Sequence, residues 1–343
     1  MESREGFYSA LGRRLFVLQR RFDLALRTFD GIAKALEAHA PKHEVQALKA
    51  ELARGMFSPE TLRLLVREAL RAQADPLVPV DLDALSRDIV PVVAAFDPSY
   101  LETVFDLIAA LHHEGLKKTF LAYLERNLPG REAEMVDRIM TLDLDTARPV
   151  MRMLAAVAKP SAAEALRKLA GCHNAYLRCE AIALLSPSPE HLKDELGQLA
   201  ESPQPELRIA ALRTLAFHQC KPAGPLLVRK IQDPSFQKAS LEERRELLRA
   251  LFLLHPVRAE QLCTELIAKH GVFSTDEPME QTRILCADFL GRETSSTEAL
   301  HAVLAAGKRR PWNGQGLRDR AKDAAEAIAA RMGKRITESG DVQ

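Results

Sequence analysis

Apolar and polar positions along this 343-residue chain follow the helical period almost throughout. The clearest instance is a phrase that occurs twice. Residues 174–185 read NAYLRCEAIALL, and residues 204–215 read QPELRIAALRTL. In each, a leucine–arginine pair opens the run, alanines follow at helical spacing, and leucines close it. Leu177-Arg178 and Leu207-Arg208 lie 30 residues apart. That is the period of a pair of short helices that cannot bury its own apolar face and must stack on a copy of itself. A degenerate copy starts at Arg148, where Pro149 follows the arginine. Looser copies return at 241–254 (LEERRELLRALFLL), 281–290 (QTRILCADFL) and 317–330 (LRDRAKDAAEAIAA). Polar, proline-containing insertions separate these: DPSFQKAS at 233–240, STDEPME at 274–280 and KRRPWNGQG at 308–316. Loops outside a stacked core tolerate such insertions. Partner helices are expected at 160–171, 189–200, 221–231, 257–270 and 296–306.

Residues 1–140 read as helices without this phrase. A long pattern over 6–39 places Leu11, Leu15, Leu18, Phe22, Ala25, Phe29, Ile32 and Leu36 at alternating steps of four and three. Such a stripe fits a coiled-coil homodimer. Two phenylalanines at seam positions, and Gly31, fit better with a helix packed on neighbours in its own chain. Ser58-Pro59-Glu60 is a helix start: a capping hydroxyl, a proline suited to the first turn, and an acid at the positive end of the dipole. Ser188-Pro189-Glu190 repeats it. QADPLVPVD (73–81) reads as a connector, and Pro91 is expected to kink a helix over 82–96. A helix from Asp97-Pro98 is expected to reach His113, with Gly115 as its stop. Shorter helices follow at 117–127 and 131–141. The tail 333–343 has no apolar period and reads as disordered.

Composition supports an all-α chain. Ala, Leu, Arg and Glu dominate and only 5% of residues are aromatic, which argues against sheets. The net charge of +1 gives no global attraction to nucleic acid or anionic membrane. No signal-peptide pattern or membrane-spanning run is visible. The five cysteines follow no framework spacing and read as reduced, which fits a cytoplasmic protein.

The leucine–arginine opening, the alanines that follow (Ala181, Ala211, Ala287, Ala321) and the closing leucine or isoleucine resemble HEAT repeats over about residues 145–332. The short period is similar to the bacterial HEAT-like subset also found in phycobilin lyases. The resemblance implies a right-handed α-solenoid over 141–332, preceded by a helical region over 1–140. It also implies that Arg178, Arg208, Arg283 and Arg318 point along the stack to carbonyls or acids of the next repeat, a role the five-donor guanidinium suits.

Chemistry is hard to find. Cys172, His173, Cys179, His218 and Cys220 fall near equivalent edges of adjacent repeats, but their spacings are not those of zinc sites, and no metal or cofactor is expected. His112 and His113 are adjacent on a helix, about 100° apart, and read as residues at a helix C-terminus. No phosphate loop, nucleophile elbow or metalloprotease motif occurs. Residues 303–336 carry nine Lys/Arg against three acids, with Trp312 among them. The reading is therefore non-catalytic: a scaffold or regulatory adaptor gripping another protein along the repeat groove through Tyr176, Arg213, Phe217, Arg245, Arg249, Trp312 and Lys322. The alternatives are a DNA-binding repeat protein similar to the HEAT-like alkylpurine glycosylases and, more remotely, an enzyme similar to bilin lyases.

Overall fold

In the computed structural model the described residues are 24–73, 81–157, 159–270 and 277–336. Among them the chain is helical, with no β-strand. It divides into two compact units, Met1–Leu169 and Ala170–Gln343.

The first unit contains α1 (24–39), α2 (Val45–Met56), α3 (Pro59–Gln73), α4 (Leu82–Asp88), α5 (Val90–Ala95), α6 (Leu101–Ala110), α7 (Glu114–Asn127), α8 (Glu132–Ile139) and α9 (Leu144–Ala156). Helix α10 (Pro160–Ala170) ends at the division between the units. On α1 the buried stripe is Leu26, Phe29 and Ala33, whereas Ile32 is 40% exposed. Phe29 meets Phe57 edge-on at 6.1 Å. The described part of the N-terminal stripe thus packs within its own unit, on a line displaced from the heptad. Leu11, Leu15, Leu18 and Phe22 lie outside the described residues.

Two helix boundaries differ from the sequence reading. Pro91 does more than kink its helix. Without an N–H and with a ring that collides with the preceding turn, it separates α4 from α5 at Ile89. Gly115 is not a stop. It lies in the first turn of α7, and His113 is the cap: its Nδ1 accepts from the Leu116 amide at 3.3 Å, while Nε2 faces Asp83 Oδ1 at 3.3 Å. A Cβ at Gly115 would come within 2.7 Å of Ser86 Oγ, so glycine is there because α4 and α7 approach closely. Elsewhere the caps are local. Ser58 and Ser188 accept from the amides of Thr61 and His191. Buried tyrosines tie the unit together: Tyr100 Oη donates to Phe57 O, and Tyr123 Oη to Asp97 O, both at 2.7 Å.

The second unit contains α11 (Ala175–Leu185), α12 (Pro189–Leu199), α13 (Pro205–Phe217), α14 (Gly224–Gln232), α15 (Leu241–Leu254), α16 (Pro256–Ala268), α17 (Glu277–Glu293), α18 (Thr297–Gly307) and α19 (Gln315–Arg331). The odd-numbered helices pack consecutively, α11 on α13, α13 on α15, α15 on α17 and α17 on α19. Each even-numbered helix packs against this row, α12 on α13, α14 on α15, α16 on α17 and α18 on α19. One apolar cluster runs through the unit from Ala175 to Ala329. A row helix therefore packs on its row neighbours and on an even-numbered helix, so it is buried on several sides. On α13, Ile209, Ala210, Ala211 and Leu212 are all buried, which a one-faced amphipathic helix would not allow. Small residues set the spacing. A Cβ at Gly291 would sit 2.8 Å from Ala324 Cα and Cβ, so α17 and α19 touch almost backbone to backbone.

Candidate functional site

The polar side chains of the second unit divide into two groups. One holds successive row helices together. Arg208 on α13 grips Glu243 on α15: Nε donates to Oε1 and Nη2 to Oε2, both at 2.6 Å. Its Nη1 also donates to the carbonyls of Ser202 and Pro203. Arg244 on α15 is 3% exposed and reaches α17, donating to Pro278 O at 2.5 Å, Thr282 Oγ1 at 2.7 Å and Gln281 Oε1 at 2.9 Å. Arg283 on α17 is equally buried. Its Nε donates to Ile267 O at 2.9 Å, Nη1 to Trp312 O at 2.8 Å and Nη2 to Asn313 Oδ1 at 2.7 Å. Burial pulls the pKa of Arg244 and Arg283 below the ordinary guanidinium range. A guanidinium placed there is tolerated because fixed acceptors meet most of its donors, the buried Nε of Arg244 excepted. Of the other two arginines of the phrase, Arg178 has a buried Nε with no hydrogen-bond partner, as Arg213 and Arg244 also do. Arg318 donates to Gln315 of its own helix.

The second group lies on the exposed side of the row. Arg213 on α13 donates to Tyr176 Oη on α11 at 2.9 Å and lies over the Tyr176 ring at 5.5 Å. Its Nη2 donates to Glu242 and Glu246 on α15, each at 3.0 Å. Arg249 faces Glu246 at 3.7 Å, one turn away on the same helix. This chain of contacts defines one face crossing α11, α13 and α15. Phe217 is four residues beyond Arg213, and Arg245, Arg249 and Leu253 follow at steps of four, so all belong to it. Phe217 is 44% exposed and Leu253 55%, while Arg245 and Arg249 are exposed beside them. The face is thus a paired polar centre with two apolar side chains at its edge. Towards α19 the pairing continues. Asp288 on α17 holds Arg292 at 3.1 Å and also Arg320 on α19.

Trp312 and Lys322 sit apart from this face, around the loop between α18 and α19. Trp312 stacks on His270 at 4.4 Å with 18° between the planes. Lys322 is exposed on α19. The expected binding residues therefore fall into two places, Tyr176, Arg213, Phe217, Arg245 and Arg249 in one, and Trp312 and Lys322 in the other.

The sequence reading passed over Arg244, Leu253 and the acids Glu242, Glu243 and Glu246. The Arg244-Arg245 doublet was the available signal. Adjacent helical residues point about 100° apart, so one faces the stack and the other solvent, but spacing alone does not say which.

The cysteine and histidine positions carry no metal geometry. All five cysteines are free thiols. His218 Nε2 lies 3.1 Å from the fully buried Glu180, Cys220 Sγ donates to Pro189 O at 3.2 Å, and burial pushes the Cys179 thiol up to about 12. Among the described residues no group of three or more His, Cys, Asp or Glu side chains could hold an ion. No helix among them is long and apolar enough to cross a membrane. No family model matches the chain, and no curated protein matches it.

Proposed function

We propose that the second unit is a HEAT-like, right-handed α-solenoid whose α11–α13–α15 face binds another protein without catalysing a reaction. The observation that carries this is the face itself. Phe217 and Leu253 are large apolar side chains about half exposed on the face that carries Arg245 and Arg249, on helices whose other apolar residues are buried except Leu241 at the start of α15. Aromatic and arginine side chains are the usual anchors of protein interfaces. The Tyr176–Arg213–Glu242–Glu246 network holds its members in place before any partner arrives, which lowers the ordering cost of association. The same network works against a DNA reading, since Arg213 and Arg249 already face glutamates and offer little free charge to phosphates. An adaptor is the best fit to a rigid preformed surface on which no group of three or more His, Cys, Asp or Glu among the described residues could hold a metal ion.

The test is affinity capture on the full chain from its native cell, read by quantitative mass spectrometry. Phe217→Glu, Arg245→Glu, Arg249→Glu and Leu253→Glu together should remove the specific partners while the helical circular dichroism persists. An unchanged partner set would refute this assignment.

A further inference from the structure

We propose that the loop 308–314, with Lys322 beside it, is a recognition surface for an acidic polypeptide segment. This surface is separate from the α11–α13–α15 face, and it stands if that face has no partner. Lys308, Arg309 and Arg310 are consecutive and exposed, and none forms an ion pair among the described residues. A Cβ at Gly307 would lie 3.8 Å from Lys322 Cγ, so the Lys322 stem crosses the backbone just before Lys308 and adds a fourth cation. Six other arginines of the unit, Arg213, Arg229, Arg249, Arg258, Arg292 and Arg320, face acids, and the exposed cations that do not, such as Arg245, Lys238 and Lys269, are not three in a row.

The loop is also held rigidly. Asn313 is 4% exposed, and its Nδ2 donates to Ala306 O and Lys308 O, both at 3.0 Å. Its Oδ1 accepts from Arg283, and its amide donates to Arg310 O at 3.0 Å. Arg283 holds the next carbonyl, that of Trp312. A buried arginine and a buried asparagine thus fix the backbone that displays three neighbouring cations. Like charges held this close repel, and a bound anion relieves the repulsion without ordering the loop anew.

The anion is best supplied by carboxylates. The Trp312 ring is engaged by His270, and the Arg310 guanidinium lies over it at 5.7 Å, so it is not a free platform for a nucleobase. A duplex needs cations tracking its phosphates beyond one loop, and the adjoining α17–α19 surface pairs Arg292 and Arg320 with Asp288. A short run of Glu or Asp matches a compact cluster, and an arginine fork donates two parallel bonds to a carboxylate.

Fluorescence anisotropy of fluorescein-labelled octaglutamate, titrated with the full chain at low and physiological salt, tests this. Binding should weaken with salt. The triple variant Lys308→Ala, Arg309→Ala, Arg310→Ala should lose about tenfold in affinity, the sum expected for three surface pairs. Asn313→Ala keeps every cation but unpins the loop, and should also weaken binding several-fold. A control with equal charge loss, Arg87→Ala, Lys118→Ala and Lys168→Ala, should bind as the parent does. The proposal is overturned if the parent does not bind octaglutamate, or if the control loses as much as the triple variant. Tighter binding of an oligothymidylate of equal charge would also overturn it, and unchanged affinity in Asn313→Ala would remove the role of the fixed loop.

Discussion

Arg283→Met is the most informative single perturbation in the second unit. Methionine keeps most of the apolar stem and removes the guanidinium. Three charge-assisted bonds go with it, to Ile267 O, Trp312 O and Asn313 Oδ1. Each such bond contributes a net of about 1.5–3 kcal/mol in isolation, but the buried cation costs several kcal/mol in lost hydration, which its removal returns. Of the three acceptors left behind, the part-buried Trp312 O can find water, whereas Ile267 O and Asn313 Oδ1 are buried and are stranded. The balance is a loss of about 3–5 kcal/mol. For a unit of this size that is about 10 °C in melting temperature. The assay has a built-in local probe, because Trp312 is the chain's single tryptophan and is stacked on His270. Urea unfolding followed by far-ultraviolet circular dichroism reports the helices, and Trp312 emission reports the loop. In the variant the emission should shift before denaturant is added, and its transition should precede loss of helix. If both transitions coincide with those of the parent, and stability changes by less than about 0.5 kcal/mol, the network does not hold the loop and the reasoning is wrong.

Three further outcomes follow from the same geometry. A double-mutant cycle with Arg208→Ala and Glu243→Ala, read by urea unfolding, should give a coupling energy of about 1–3 kcal/mol, and a value near zero would mean the two-bond contact between α13 and α15 is not formed in solution. Gly291→Ala should destabilise by about 1–2 kcal/mol despite alanine's better helix propensity, because the new methyl meets the Ala324 backbone, and a stabilised variant would contradict the close α17–α19 approach. In the first unit, burial and then the charge of Asp97 push the Tyr100 hydroxyl up from about 10 to about 12. The folded state therefore holds this proton more tightly than the unfolded chain does. The corresponding stability is fully present below pH about 10 and is lost as pH rises towards about 12. Tyr100→Phe should flatten part of this alkaline decline in the melting temperature, with Tyr123, also raised by burial, accounting for another part.

Helices were legible from the chain because the information that makes them is local. The 3.6-residue period, the serines at 58 and 188 and the Pro-Glu that follows each act within one turn, and the structure has helices starting at Pro59 and Pro189. The phrases at 174–185 and 204–215 coincide with α11 and α13 for the same reason. Gly115 was misread because glycine has two uses. It ends helices by adopting positive φ, and it lets backbones approach, and only the position of Ser86 on α4 shows that the second applies. Arg213 and Arg249 read as residues for a partner; the acids that face Arg213 are 29 and 33 residues away and are brought near only by the α13–α15 contact, whereas Arg249 faces Glu246 one turn away on its own helix.

The sequence by itself determined that the described chain is helical and where most of its helices begin, because propensity, period and caps are settled among neighbours a few residues apart. The tertiary structure alone decided which arginine of the Arg244-Arg245 doublet turns inward, that Phe217 and Leu253 stay in water, and that Asn313 and Arg283 fix a cationic loop. Those outcomes depend on the distance between helix axes, which side-chain volumes set across the whole packed row and which no local pattern encodes.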